Sequence, residues 1–499
     1  MVLRDLIKGV EVKRILGRDD VDIAGISYDS KEVRPGFLFV AIRGEKTDGH
    51  KYLGVAIENG ARAIVVEEIP NEVFNDTSII RVEDTKSALA EISANFFFHP
   101  TKELTLVGVT GTNGKTTVTY ILESIWQEEK KNTGLIGTVE YRFSMNRIPS
   151  SMTTPESLDL TRLLSDMRSS GVRYVVMEVS SHALDRKRVL GCHFDAAIFT
   201  NLTQDHLDYH ETMEDYFSAK KRLFSEVLRR SEKGERFSII NFDDPYGKEI
   251  AKEAVGEVVS YSTRRGEGVV YAEKAEIYHD GIGALLNTPW GNIEIDSKLY
   301  GRHNLSNILA ASATALSLGS SKGAVEAGVS RLVSVPGRLD RVENPLGITV
   351  LVDYAHTPDA LRNVLLSVRP LTPGNIILVF GCGGDRDPTK RPIMGRIGKE
   401  LSDILIVTSD NPRGEPPERI IDQIEEGVFE GGDDHKPYFR VPDRRDAIRK
   451  AIEVAAKGDT VLIAGKGHEN YQILGTRRIH FDDKEVAREV LREIGKRDA

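Results

Sequence analysis

The chain has 499 residues and a formal net charge of -9; it is too long for a single hydrophobic core, and its acidic balance argues against a general nucleic-acid-binding surface. Hydrophobic residues at 40% and charged residues at 29% are ordinary for a soluble globular protein. Cys192 and Cys382, the only cysteines, have neither disulfide nor metal-ligand spacing, the N-terminus MVLRDLIKGVEVKRIL lacks a signal peptide's apolar core, and no apolar run approaches the roughly 20 residues that span a bilayer, so a cytoplasmic protein without membrane insertion is expected.

Residues 1–100 read as a first domain, with short strands over 23–28, 36–42 and 63–66 and a helix over 52–59 that ends at Gly60. Ser30, in the polar turn Asp29-Ser30-Lys31, reads locally as a turn residue.

A second domain, 101–335, opens with TLVGVTGTNGKTTV at 105–118. Aliphatic and β-branched residues lead into Gly111-Thr112-Asn113-Gly114-Lys115-Thr116-Thr117, and a helix-compatible apolar run follows at 118–126. Strand, glycine-rich loop and helix in that order cradle nucleotide phosphates: backbone amides close on the oxyanions, Lys115 reaches the outer phosphates, and the Thr116 hydroxyl ligates Mg²⁺. Val109 stands where the strict G-x-x-x-x-G-K-[ST] pattern has glycine.

Further along, Pro155 puts Thr153 and Thr154 on a loop, where helix capping and ligand binding both suit their hydroxyls. The strand predicted over 173–179 ends at Glu178, whose charge in so apolar a run needs a partner, and a metal would serve. Ser180 begins the next loop, with Arg186 and Arg188 close behind, two groups that suit anions, although either one alone reads first as solvated surface charge. The strand over 195–200 runs into NLTQDHLDYH, whose two histidines and two aspartates favour a site that includes His206. Lys220 and Lys221 lie on a helix predicted over 213–230, and one of them must lie nearer its apolar face. After a strand at 237–241, the segment 255–299 alternates as a small antiparallel insert would, and a long helix carries Asn304 and Asn307 on one face near its start.

The third domain, 336–499, has strands at 348–353, 375–380, 404–408 and 459–464 separated by helical stretches, which implies a mainly parallel sheet with helices on its faces. Polar loops follow all four strands, at Asp353, at Gly381–Arg391, at Asp410-Asn411-Pro412-Arg413 and at Gly465–Glu469. Open α/β sheets bind ligands at such ends. The fold class expected is α/β in three domains: a central phosphate-loop ATPase with a mainly parallel sheet, and a Rossmann-like C-terminal domain.

Taken together, DSK at Asp29, TGTNGKTT at Thr110, TTPE at Thr153, EVSSHAL at Glu178, NLTQDHLDYH at Asn201, HNLSN at His303, DYAHTPD at Asp353, GCGGDRD at Gly381, DNPR at Asp410 and GKGHE at Gly465 resemble the Mur ligase family of peptidoglycan synthesis over essentially the whole chain. The likeness is to members that add the third residue of the peptide, and Val109 fits that family's loop. The resemblance implies domains for the UDP end of the substrate, for ATP and for the incoming amino acid. It implies that Gly111 to Thr117, Asn307, Arg338 and Asp353 contact ATP, and that Ser30, Thr153, Thr154, Ser180, Arg186 and Arg188 contact UDP-MurNAc-L-Ala-D-Glu. Arg186 stands where the family commonly has glutamine. It further implies Mg²⁺ ligation by Thr116, Glu178, His206 and Lys220, the lysine being carbamylated, with Lys115, Glu178, His206 and Lys220 as the catalytic set. Arg386, Asp410, Asn411, Pro412, Arg413, Gly465 and Glu469 would bind meso-diaminopimelate. DNPR selects that amino acid over lysine, since Arg413 can hold its second carboxylate through two parallel hydrogen bonds.

The expected reaction is ATP-driven amide formation through an acyl phosphate, by a monomer acting on small molecules and not on nucleic acid. Open alternatives are the same reaction with lysine, a folylpolyglutamate synthase, which DSK, DNPR and GKGHE do not suit, and a nucleotide-hydrolysing switch or motor that makes no bond.

Overall fold

The computed structural model describes residues 1–44, 47–71, 76–278, 280–432 and 436–497, and for 207, 208, 496 and 497 the backbone alone. Two compact units emerge. The first comprises 1–111, 129–200 and 208–260, and the second 112–128, 201–207 and 261–499.

The first unit begins with a five-stranded sheet in the order Val12–Leu16, Ser78–Val82, Ala63–Val66, Phe37–Val40, Gly25–Ser27, antiparallel at the first pair and parallel thereafter. Val12–Leu16 escaped the sequence reading because its pattern, VKRIL, is that of an exposed edge, where charged side chains discourage further pairing. The unit also holds five parallel strands in the order Phe237–Asn241, Ala196–Phe199, Thr105–Thr110, Tyr174–Glu178, Thr133–Ile136, followed by the antiparallel pair Glu140–Phe143 and Asn146–Pro149. Thr105–Thr110 lies in the middle and is buried almost throughout, which accounts for its unbroken apolar sequence. One expectation needs revision. The helix predicted over 213–230 is α-helical at Met213–Arg222, widens to a π-turn at Leu223–Val227 and closes at Leu228–Arg230. Such wide turns are local insertions that hydrophobic periodicity does not reveal.

In the second unit the antiparallel strands Val270–Tyr278, Gly281–Asn287 and Ile293–Ser297 form the expected insert. The helices Lys115–Glu128, His303–Ser317 and Lys322–Arg331 pack on one another, and Ser124 donates to the carbonyl of Gly328 at 2.7 Å. A six-stranded sheet runs Asp340–Arg341, Thr349–Asp353, Thr460–Ala464, Ile376–Phe380, Ile404–Val407, Tyr438–Arg440, parallel except at the first pair. Alternate residues point to opposite faces. Leu351, Leu378, Leu405 and Leu462 pack under the helices Pro358–Val368, Lys390–Leu401 and Pro417–Val428, while Val350, Ile377, Ile406 and Val461 pack under Arg444–Val454 and Asp483–Arg497. The four polar loops noted in the sequence leave the same ends of these parallel strands. Among the described residues no helix is long and apolar enough to cross a membrane.

Candidate functional site

The phosphate-loop sequence folds as its glycines demand. Gly111 and Gly114 have φ of 147° and 89°, and a Cβ on Gly114 would lie 2.4 Å from Asn307 Oδ1. A side chain there would have to push the Asn307 amide aside and adopt a positive φ. Within the second unit, the Thr112 N–H donates to Asn201 O at 2.8 Å and the Asn113 N–H to Asn201 Oδ1 at 2.9 Å. The NLTQDH segment therefore braces the loop, a role for Asn201 that the sequence reading did not assign. Lys115 Nζ donates to Thr112 O at 2.9 Å, and Thr116 and Thr117 are buried at the helix start. Arg338 donates through Nη2 to Thr116 Oγ1 at 3.2 Å, and its guanidinium carbon lies 4.9 Å from the centre of the Tyr354 ring. Asn307 Nδ2 donates to Asn304 Oδ1 at 2.8 Å, so the two asparagines predicted on one face do meet. Asp353 accepts the N–H groups of Leu339 and Ala355 at 2.7 and 2.8 Å; burial raises its pKa, opposed by Arg338 and those two bonds. His206 is exposed in a left-handed conformation, φ 55°, with Nε2 3.5 Å from Asp205 Oδ2.

In the first unit, Glu178 is buried at the end of its strand. Its two oxygens accept the N–H and the hydroxyl of Thr138 at 2.8 and 3.0 Å. The partner that its apolar surroundings required is thus at least partly a residue that nothing in the sequence marked. The Thr138 hydroxyl also lies 3.1 Å from that of Thr153. Thr154 Oγ1 donates to Glu178 O at 2.9 Å and accepts the Ser180 N–H at 3.1 Å, while Ser180 Oγ caps the short helix Ser181–Asp185, where the sequence had been read as loop. Arg188 is fixed by Glu156 Oε2 at 3.1 Å and Thr154 O at 3.0 Å, so TTPE positions its arginine through its own glutamate. Arg186 donates to Tyr209 OH at 3.2 Å. Lys220 is buried, with Nζ donating to Gly111 O at 2.8 Å and 4.4 Å from the centre of the Tyr216 ring, whereas Lys221 pairs with Glu253. Ser30 stands in the first domain's 3-10 turn behind Asp29, which caps it, and Ser30 O accepts Asn59 Nδ2 at 2.9 Å.

The C-terminal sheet gathers most of its predicted residues. Arg413 has φ 52° and donates through Nη1 to Gly384 O at 2.9 Å and Asn411 O at 3.4 Å. Asn411 donates to Glu469 Oε2 at 2.8 Å. Gly465 has φ 116°, and a Cβ there would lie 2.7 Å from Asp410 Oδ2. The Pro412 carbonyl accepts the Glu415 N–H at 3.0 Å. Arg386 is exposed and donates to the carbonyl of Asp385 at 3.2 Å. Two groups were overlooked. Lys466, fully buried, donates to Asn411 Oδ1 at 3.4 Å and to Glu469 Oε2 at 3.3 Å. Beneath the strand ends Arg444 and Asp483 form a fork at 2.7 Å on each arm, and the same guanidinium donates to Ser409 O and Ala464 O. Lys466 lay inside a quoted motif; Arg444 and Asp483 sit in ordinary charged helical sequence and carried no signal.

Hard oxygen donors such as Glu178 and Thr116 suit Mg²⁺. Among the described residues no three His, Cys, Asp or Glu cluster as a metal cage.

Models of known families match the chain in three places: "Mur ligase family, catalytic domain" over 22–97, "Mur ligase middle domain" over 109–315, and "Mur ligase, glutamate ligase domain" over 337–467. The UDP-N-acetylmuramoyl-L-alanyl-D-glutamate--2,6-diaminopimelate ligase of Geobacter metallireducens is 48% identical over 507 residues, spanning 99% of each chain. A solved structure of a ligase of that name aligns over 99% of both chains with 30% identity and a TM-score of 0.72. A MurF ligase from Thermotoga maritima in complex with ADP aligns over 95% of this chain and 98% of its own, with 22% identity and a TM-score of 0.63.

Proposed function

The chain belongs to the Mur ligase family, and we propose from that membership that it adds meso-diaminopimelate to the D-glutamate side-chain carboxylate of UDP-MurNAc-L-Ala-D-Glu at the expense of ATP. The D-glutamate carboxylate oxygen attacks the γ-phosphorus and ADP leaves, giving an acyl phosphate. The amine of diaminopimelate then attacks the acyl carbon, loses a proton, and inorganic phosphate departs with its bonding pair. No nucleophilic side chain is needed. Burial pushes the thiols of Cys192 and Cys382 up to about 12, which leaves both inert.

Lys115 and the N–H groups of the 111–117 loop stabilise charge on the transferring phosphoryl group. Asn307, Arg338 and Asp353 contact the nucleotide. Thr153, Thr154, Ser180, Arg186 and Arg188 contact the sugar–dipeptide, and Ser30 the UDP end. In the first unit Glu178 and Lys220, the latter once carbamylated, are the groups to hold Mg²⁺; in the second unit they are Thr116 and His206. Bound Mg²⁺ neutralises phosphate charge. Domains of 1–100, 101–335 and 336–499 divide the binding of UDP, ATP and amino acid, in a cytoplasmic monomer.

The choice of amino acid rests on Arg413. Diaminopimelate differs from lysine by a second carboxylate, for which a guanidinium already anchored by two carbonyls is the natural partner. Arg386, Asp410, Asn411, Pro412, Gly465 and Glu469 complete that pocket, and Glu469 takes an ammonium. Phosphate release tests the ligase reading. It should require ATP, UDP-dipeptide and diaminopimelate together, and equal release from ATP alone would instead establish a nucleotide-hydrolysing switch.

A further inference from the structure

Arg391 is the second residue of the helix Lys390–Leu401, and its guanidinium is enclosed although it faces no substrate group named above. It forks onto Glu415, Nη1 to Oε2 and Nη2 to Oε1 at 2.9 Å each, and also donates to Gln423 Oε1 at 2.5 Å and Gly383 O at 3.0 Å. Glu415 Oε1 in addition accepts the Asp385 N–H at 2.6 Å. The GCGGDRD and DNPR loops are then joined by Gly384 N–H to Asn411 O at 2.9 Å and Gly414 N–H to Asp385 Oδ2 at 3.0 Å. The carbonyls of Gly384 and Asn411, so fixed, are the two that hold the Arg413 guanidinium.

Both ends of this arrangement are conformationally unfavourable by themselves. Asp385 and Arg413 have φ of 52° each, a left-handed conformation that is unfavourable for non-glycine residues and persists only where surroundings enforce it. The Arg391 fork, strengthened by the Asp385 N–H, holds the Glu415 carboxyl down to about 2, so the carboxylate is present throughout the neutral range.

We infer that Arg391 and Glu415 are positioning residues for amino-acid selection, which hold the GCGGDRD loop so that Arg413 meets the second carboxylate of the incoming amino acid. This rests on the reading of Arg413 given above. A pair that merely supported the fold would affect all substrates alike; a pair that positions Arg413 affects one.

The test is steady-state kinetics of Glu415→Gln, Glu415→Asp and Arg391→Lys against each substrate in turn, with diaminopimelate and lysine compared for every protein. Glu415→Gln should raise KM for diaminopimelate about tenfold or more, the scale on which supporting residues act. KM for ATP and UDP-dipeptide should stay within about twofold, the preference over lysine should fall by a like factor, and Glu415→Asp should restore part of it. An unchanged preference, or three KM values rising together, overturns the inference. Should Glu415→Gln not fold, Arg391→Lys, which keeps the cation and loses the fork, decides by the same criteria. A wild type without preference for diaminopimelate would overturn the functional reading itself, while preference retained by the folded variants would overturn only the positioning role.

Discussion

Replacing Arg444 by methionine should be among the most damaging single changes in the second unit. Arg444 and Asp483 both have side chains at 0% exposure, with two 2.7 Å bonds between them. Burial disfavours the guanidinium charge, but Asp483, with smaller contributions from Asp410 and Glu469, more than offsets this, and the Arg444 pKa lies above the ordinary arginine value. Removing the arginine strands a carboxylate in the interior, a loss of about 3–5 kcal/mol for a buried pair. It also takes a donor from Ser409 O and Ala464 O, each worth up to about 1–3 kcal/mol but overlapping with the first loss. A total near 4 kcal/mol is expected. Arg444→Met with Asp483→Leu should recover more than half of it, because the stranded charge is gone while only the two carbonyls remain unserved. Both tryptophans, Trp126 and Trp290, lie in the second unit, so the urea dependence of tryptophan fluorescence reports on the unit containing the pair. A single-variant loss below about 1 kcal/mol, or a double variant as unstable as the sum of both singles, would refute the argument that the pair acts as one buried unit.

Other consequences follow from separate parts of the chain. Gly114→Ala forces a Cβ against Asn307 at φ 89°, and KM for ATP should rise at least about tenfold with the amino-acid KM unaffected; an unchanged ATP KM would show that the loop does not bind the nucleotide in this form. Thr138→Val removes a donor to Glu178, and activity should fall about tenfold to hundredfold, partly recovered by added Mg²⁺; full activity would deny Glu178 its assigned part. His193 is held neutral by burial and then by Lys102, its pKa pushed down to about 4, and its Nδ1 accepts the Glu232 N–H at 3.1 Å. Between about pH 6.5 and 4 the unfolded chain therefore holds the extra proton, so stability should decline as pH falls through that window, by at most on the order of 3 kcal/mol from this group. Melting of wild type and His193→Gln across that range checks it, the variant showing the shallower slope.

The parallel sheets and their loops were legible because they obey local rules: apolar runs for strands buried on both faces, and glycines where φ is positive. What escaped is non-local. Thr138 partners Glu178 across 40 residues, and Asp483 meets Arg444 across 39. Nothing in their neighbourhoods distinguishes such residues from surface threonines and charges. Lys466 shows a subtler gap. A lysine among glycines reads as exposed, yet the chain buries it because Asn411, Glu469 and the Tyr471 ring surround the ammonium. The family words marked residues proposed to touch substrates, and the structure adds neighbours that hold those residues in place.

The proposed activity turns on what Arg413 selects. The decisive measurement is the mass of the product formed from ATP and UDP-MurNAc-L-Ala-D-Glu with meso-diaminopimelate and L-lysine present in equal amounts. The wild type should give a product carrying diaminopimelate almost alone, and Arg413→Ala should lose that preference. Lysine incorporated as readily as diaminopimelate by the wild type would contradict the proposed activity.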